Sequence, residues 1–246
     1  MDSKDLIKKV KEDKVKFLSL QFTDVLGAVK SVDMPIRHLE GVLEDGAWFD
    51  GSSVEGFARI QESDMRLKVD ASTYAVLPWS GDGAKRARVF CDIFTPSGHP
   101  FPGDPRGALK RILKKLDEKG WKYNIGPEPE FFLFKGENGH GVHPAPHDTG
   151  GYFDFSSFDE AVVVRTALMD ALDAMGLDVE VGHHEVALGQ HEIDFRFADA
   201  LKAADNVLTL KYTVKAIAAQ HGLTASFMPK PVYGINSHGP RRKGCF

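Results

Sequence analysis

The chain predicts an α+β fold, on three observations. Apolar residues recur at helical spacing in some segments and alternate at period two in others. The two kinds of segment mix without regular strand–helix–strand alternation, and Gly-containing turns separate several of the strands. That combination favours an antiparallel sheet covered by helices on one face, with the other face left to hold a site. With 246 residues, 42% hydrophobic and 27% charged, the chain can bury a real core and form one or two domains. A formal charge of -4 supplies no basic field, so neither nucleic acid nor a membrane surface is expected as a partner. No apolar run approaches the roughly 20 residues that span a bilayer. The charged first sixteen residues show no signal-peptide pattern, and a cytoplasmic protein is expected. Cys91 and Cys245 have neither metal-type spacing nor the number for a disulfide framework, which fits a reducing compartment.

In chain order, Asp2 to Lys14 predicts an amphipathic helix with Leu6, Ile7 and Val10 on one side, followed by a strand from Val15 to Phe22. Gly27 suits a hairpin turn, and Val29 begins the returning strand. Pro35 opens a short helix through Leu43, closed by Gly46. Ala47 to Phe49 reads as a strand that breaks into the loop Asp50-Gly51-Ser52-Ser53. Three more strands are expected at Asp64 to Val69, Thr73 to Leu77 and Arg86 to Phe94. The Pro/Gly-dense stretch 96–105 places a domain boundary near residue 100, giving an N-terminal domain over 1–100 and a second over 101–236. Asp104 as N-cap and Pro105 as first helical residue start a helix whose Leu109, Ile112, Leu113 and Leu116 form an apolar stripe. Beyond it come a strand from Glu128 to Phe134, a helix from Asp159 to Met175, strands at Leu177 to His184 and Glu192 to Phe197, a helix from Ala200 to His221 and a strand from Leu223 to Phe227. His140, His143 and His147 lie irregularly spaced among Gly and Pro, which predicts a mobile polar loop rather than a metal cluster.

Chemistry concentrates in two acidic segments. In Gly126-Pro127-Glu128-Pro129-Glu130-Phe131-Phe132-Leu133-Phe134, strand alternation would send Glu128 and Glu130 to one face, with Cα atoms roughly 7 Å apart. The second segment runs from Glu180 through His183-His184-Glu185 to Gly189-Gln190-His191-Glu192, and two strands joined through Gly189 would each bring a Glu to the sheet face. Four carboxylates on neighbouring strands, Glu128, Glu130, Glu185 and Glu192, are costly to keep charged and unpaired. Hard divalent cations resolve that cost, and all-oxygen ligation suits Mg²⁺ or Mn²⁺ better than Zn²⁺. Composition and geometry therefore point to a metal-dependent phosphoryl-transfer site. His183 and His184 read as residues supporting the ligands rather than as ligands.

Those two segments, together with Asp50-Gly51-Ser52-Ser53 and Phe227-Met228-Pro229-Lys230-Pro231, resemble the signature segments of glutamine synthetase type I, in order from the N-terminus to about Asn236. The resemblance implies an N-terminal β-Grasp domain and a partial catalytic domain whose curved antiparallel sheet lines a metal-bearing funnel. It implies that Glu130, Glu185 and Glu192 ligate one metal and Glu128 a second, beside the phosphates of ATP. By the same likeness Glu180 lies near the nucleotide, Phe197 near the adenine with Tyr152 a second candidate, and Asn236 at the substrate L-glutamate. Asp50 would help deprotonate ammonium in a neighbouring subunit of a ring assembly. The implied reaction is phosphorylation of the glutamate γ-carboxylate by ATP, then displacement of phosphate by ammonia.

The likeness stops abruptly. Where the family continues with a Gly-Ser-Gly-Met-His segment, this chain has Ser237-His238-Gly239-Pro240-Arg241-Arg242-Lys243-Gly244-Cys245-Phe246. Residues 237–246 are expected to be a disordered, basic, divergent tail, the product of a frameshift or substitution. A chain truncated there is expected to be weak or inactive alone, to keep one near-complete metal site and one crippled one, and to self-associate through apolar surface left uncovered. The alternatives are a non-catalytic module that joins intact subunits, and a related ligase acting on an amine other than ammonia.

Overall fold

The computed structural model describes residues 1–54, 64–81, 83–136, 145–155 and 159–234, and the backbone of 241–245. The chain divides into two compact units, Met1–Trp121 and Lys122–Phe246. It is α+β throughout, with the sheets and helices arranged as follows.

In the first unit, helix α1 (Ser3–Glu12) starts at a reciprocal cap. The Asp2 carboxylate accepts from the Asp5 N–H, and the Asp5 carboxylate accepts from the Asp2 N–H. Strands β1 (Phe17–Thr23) and β2 (Val29–Pro35) form a hairpin turned by Asp24 and Gly27, the latter at φ +76°. Helix α2 (Leu39–Asp45) leads to β3 (Ala47–Asp50), β4 (Asp64–Val76) and β5 (Arg86–Phe94). The sheet order is β2-β1-β5-β4-β3, with β1 and β5 parallel and the other pairs antiparallel. The two strands expected at 64–69 and 73–77 are one strand, with a register shift between Asp70 and Ala75 taking up the Asp70-Ala71-Ser72 turn signal. Leu18, Leu20, Leu67, Val89 and Ile93 are buried against Leu6 and Val10 of α1, which supply the helix cover for this sheet.

Helix α3 (Pro105–Asp117) begins as its sequence dictates: the Asp104 carboxylate accepts from the N–H groups of Arg106 and Ile93. Its predicted apolar stripe is not core. Ile112 is 53% exposed, and the buried residue on this helix is Arg106, which lies 2.7 Å from both Asp70 and Asp92. The amphipathic pattern identifies an apolar face without identifying what covers it.

In the second unit, the predicted strand 128–134 is two strands in different sheets. Strand β6 (Asn124–Glu128) ends and β7 (Glu130–Lys135) begins on either side of Pro129. Proline has no N–H for a ladder, so it sits where one sheet hands over to the next. Glu128 and Glu130 are therefore not neighbours on one strand face, which corrects the spacing argument. After helix α4 (Val162–Ala174) come β8 (Val179–His184), β9 (Gln190–Phe195) and β10 (Ala198–Asp199), then helix α5 (Ala200–Gln220) and β11 (Leu223–Ser226). The order β11-β7-β9-β8 makes one antiparallel sheet. The other, β10-β6-β12, includes β12 (Arg241–Cys245), which pairs antiparallel with β6 from Glu128 to Asn124. The unstructured tail expected there is instead, over these five residues, a strand.

Candidate functional site

Strand register builds the site. Across β7, β9 and β8, Glu130 pairs with Glu192 and Glu192 with His183, so these three side chains form a row on one sheet face. One residue along, Phe131, His191 and His184 form a row on the opposite face. Helix α4 covers that second face, since Arg165 Nη1 donates to His191 Nδ1 at 3.1 Å.

Glu185 follows β8 directly, in the turn that Gly189 closes. Its N–H donates to the Gln190 carbonyl at 2.7 Å, and its Oε2 accepts from the Val186 N–H at 3.0 Å. His183 lies 3.8 Å from Glu185 and 3.7 Å from Glu192. Gln190 donates from its amide to Glu130 Oε2. So His183, Glu185 and Glu192 converge, and Glu130 stands next to Glu192 in the row, on the adjacent strand. Burial, then the Glu185 and Asp194 carboxyls beside it, push the Glu192 pKa up to about 9.

Behind the sheet lies a second polar cluster that sequence reasoning missed. His147, expected in a mobile loop, is 2% exposed. Its Nε2 is 2.8 Å from Asp148 Oδ2, an ion-pair contact whose angle is poor for a hydrogen bond. Asp148 Oδ1 accepts from the Gly189 N–H at 2.9 Å and from His184 Nε2 at 3.1 Å, while His184 Nδ1 meets the Glu185 carbonyl at 2.6 Å. Both His184 nitrogens face acceptors, so both carry protons. Burial opposes charge on His184, but the bonds to Asp148 and Glu185 outweigh it and raise its pKa. Burial likewise opposes ionisation of Asp148, yet the two histidines hold it well below the usual carboxylate range. His191 goes the other way: burial and three cationic neighbours keep it neutral.

Among the described residues, two groups bring three metal-type donors within 4.8 Å of one another: His183 with Glu185 and Glu192, and His147 with Asp148 and His191. The second is a poor cation site. Arg165 can only donate, so His191 must accept at Nδ1 and carry its proton on Nε2, leaving no lone pair for a metal. Arg165 itself is held by Asp159 through contacts of 3.1 and 2.6 Å. The first group fits a divalent cation, because a carboxyl whose pKa is raised by burial and then by neighbouring carboxyls is what a cation relieves.

The other candidate residues are placed as follows by their own elements. Glu128 ends β6 opposite Arg241, and Glu180 is exposed at the register shift of β8. Phe197 is exposed just after β9. Tyr152 is exposed and stacks on Phe153 at 3.9 Å, and both rings meet His183 edge-on. Asp50, in the first unit, is exposed, and its carboxylate accepts from the Ser52 N–H at 2.8 Å, closing an Asx turn. Asn236, His238, His140 and His143 lie outside the described residues. No helix among the described residues is long and apolar enough to cross a membrane.

Comparison with known proteins agrees with this architecture. Residues 14–96 match the family described as glutamine synthetase, beta-Grasp domain, and residues 102–240 match glutamine synthetase, catalytic domain. Glutamine synthetases of Staphylococcus epidermidis and Staphylococcus aureus are 49% identical over 236 residues, covering 96% of this chain and 53% of theirs. Among solved structures, a cryo-EM structure of Plasmodium falciparum glutamine synthetase matches with a TM-score of 0.88 at 26% identity, over 99% of this chain and 53% of that one. The ADP complex of GmaS matches with a TM-score of 0.87 at 29% identity, over 96% and 54% of the two chains. The chain spans about half the length of the curated relatives it matches.

Proposed function

Since the chain belongs to the glutamine synthetase family, we propose that its acidic sheet face is the metal-binding part of an ATP-dependent glutamate–ammonia ligase site. The observation that carries this reading is the meeting of Glu185, Glu192 and His183 with Glu130 on the adjacent strand beside Glu192, where burial and then the neighbouring carboxyls raise the Glu192 pKa and a cation would favour its ionised form. These three carboxylates would hold Mg²⁺ or Mn²⁺, which when bound neutralises charge where two anions, a carboxylate and a triphosphate, must meet. Glu128, one proline away, is assigned to the second metal.

The protein's own groups then divide the work. Gln190 fixes Glu130 by its amide hydrogen bond, and the Glu185 peptide is held between Gln190 and His184, so neither ligand needs to reorganise. The exposed aromatic surface of Tyr152, and Phe197 with Glu180 farther along, is assigned to the nucleotide; a structural neighbour solved as an ADP complex supports nucleotide binding, without locating it. Asp50 is assigned to ammonium, to attract the cation and accept its proton, in the site of a neighbouring subunit. Asn236 is assigned to L-glutamate. Transfer of the γ-phosphoryl group to the glutamate carboxylate gives a γ-glutamyl phosphate, and ammonia displaces phosphate from it to yield glutamine.

The test is phosphate release from ATP by the 246-residue chain, with Mg²⁺ or Mn²⁺, as glutamate and ammonium are added separately and together. Slow hydrolysis that requires glutamate, with little glutamine formed, is the expected result. Hydrolysis indifferent to glutamate would rule out the ligase reading. Binding to intact family subunits without any nucleotide-dependent activity would favour the interaction-module reading instead.

A further inference from the structure

We infer that Asp148 is a positioning residue for the acidic site: it ties together the two stems of the turn that carries Glu185, and so sets the affinity of that site for a divalent cation. The inference rests on the reading of Glu130, Glu185 and Glu192 as cation ligands. Its own basis is different, and lies on the far side of the sheet.

Asp148 does not belong to the hairpin it holds. It arrives from the segment before α4, and its side chain is fully buried. A single oxygen, Oδ1, bonds His184 at the last residue of β8 and the N–H of Gly189 at the residue before β9. Everything between those two points is the turn 185–188, with Glu185 at its start. At one end His184 passes the constraint on, its Nδ1 meeting the Glu185 carbonyl at 2.6 Å. At the other, Gln190 accepts from the Glu185 N–H and reaches Glu130 with its amide. Glu185 is thus fixed on both sides of its peptide, and the carboxylates facing one another across β7 and β9 inherit the spacing.

The glycines show how closely this is built. A Cβ on Gly150, two residues after Asp148, would lie 2.8 Å from His184 Nε2, the atom Asp148 holds. A Cβ on Gly151 would meet only Asp154, at 3.8 Å. The loop passes His184 with no room for a methyl group at one position and ordinary space at the next. Phe153 adds a second tie, its N–H donating to the His184 carbonyl at 3.1 Å.

The experiment is a Mn²⁺ titration of the full 246-residue chain followed by electron paramagnetic resonance, with Asp148→Asn, Gly150→Ala, Gly151→Ala and Glu192→Gln. Asp148→Asn keeps an oxygen for the Gly189 N–H but removes the charge facing His184. Partners that orient metal ligands are worth roughly 10–100-fold in affinity. Asp148→Asn and Gly150→Ala are expected to weaken Mn²⁺ binding by about that factor and to broaden the spectrum of the bound ion. Gly151→Ala should match the parent, and Glu192→Gln should lose the site. If the parent binds no Mn²⁺, or Glu192→Gln binds as well as the parent, the cation reading itself fails. If Glu192→Gln loses binding while Asp148→Asn and Gly150→Ala keep it within twofold, the cation reading stands and the positioning role is overturned. Near-UV circular dichroism reports whether each variant folds. Should Asp148→Asn unfold, Gly150→Ala decides alone; should both unfold, the cluster serves stability and the positioning role is likewise overturned.

Discussion

Replacing Glu192 by Gln separates what this residue does for the fold from what it does for a metal. In the folded chain its pKa is pushed up to about 9, whereas an unhindered Glu titrates at 4.5. Between those values the folded state holds a proton that the unfolded state has given up. Stability is therefore fully present below pH 4.5 and drains away as the pH rises toward 9, by at most about 1.4 kcal/mol per pH unit. Taken whole, that gap is about 6 kcal/mol. Glu192 is bonded to the Glu185 carboxyl and titrates together with its acidic neighbours, and that coupling reduces the figure to about 2–3 kcal/mol. Glutamine has the same shape and no charge to develop. In urea unfolding with a chelator present, the variant should match the parent at pH 5 and exceed it by about 2–3 kcal/mol at pH 9. His184, whose raised pKa drains stability over part of the same range, is common to both chains, so it cancels in the difference. Added Mn²⁺ should stabilise the parent at pH 8 and leave the variant nearly unchanged. A difference of equal size at pH 5 and pH 9, or a parent more stable at pH 9 than the variant, would refute the reasoning.

Two further outcomes follow from geometry. Gly189 adopts φ +68°, and a Cβ there would lie 2.7 Å from the Leu133 carbonyl oxygen, so Gly189→Ala should cost about 2–4 kcal/mol and lower the melting temperature by several degrees. An unchanged melting curve would show that the turn has room to relax. We also expect the chain to self-associate, because Ile112 and Trp121 in the first unit and Val181, Val186, Phe197 and Tyr233 in the second leave large apolar side chains exposed. Sedimentation velocity giving a single monomeric species across a hundredfold concentration range would remove that expectation.

The sequence carried the local grammar of this fold well and its long-range closure poorly. Asp104-Pro105 announced the start of α3, and the period-two runs announced β1, β5 and β11, because caps and alternation are written in adjacent residues. The pairing of Glu130 with Glu192 was foreseeable only as a convergence of acidic segments. It is the register between strands sixty residues apart that makes it a row. Pro129 was in plain view, and its missing N–H was the signal that could have divided the strand there. The Asp148 cluster had no such signal. Asp148 is 36 residues from His184 and 41 from Gly189, and an Asp before Thr-Gly-Gly reads as a turn residue until the fold brings its partners to it.

Pro129 also has a bearing on how two metals could be kept at a working separation. It is the one residue between β6 and β7, and it is buried, with its φ fixed by its own ring. Each flanking carboxylate is anchored in a different ladder. The span from Glu128 to Glu130 is therefore a rigid link of covalent bonds, indifferent to the looseness of loops around it. Under the two-metal reading proposed above, cations seated on such a link would have their spacing set by the backbone itself, much as the pins of a plug keep theirs whatever the cable does.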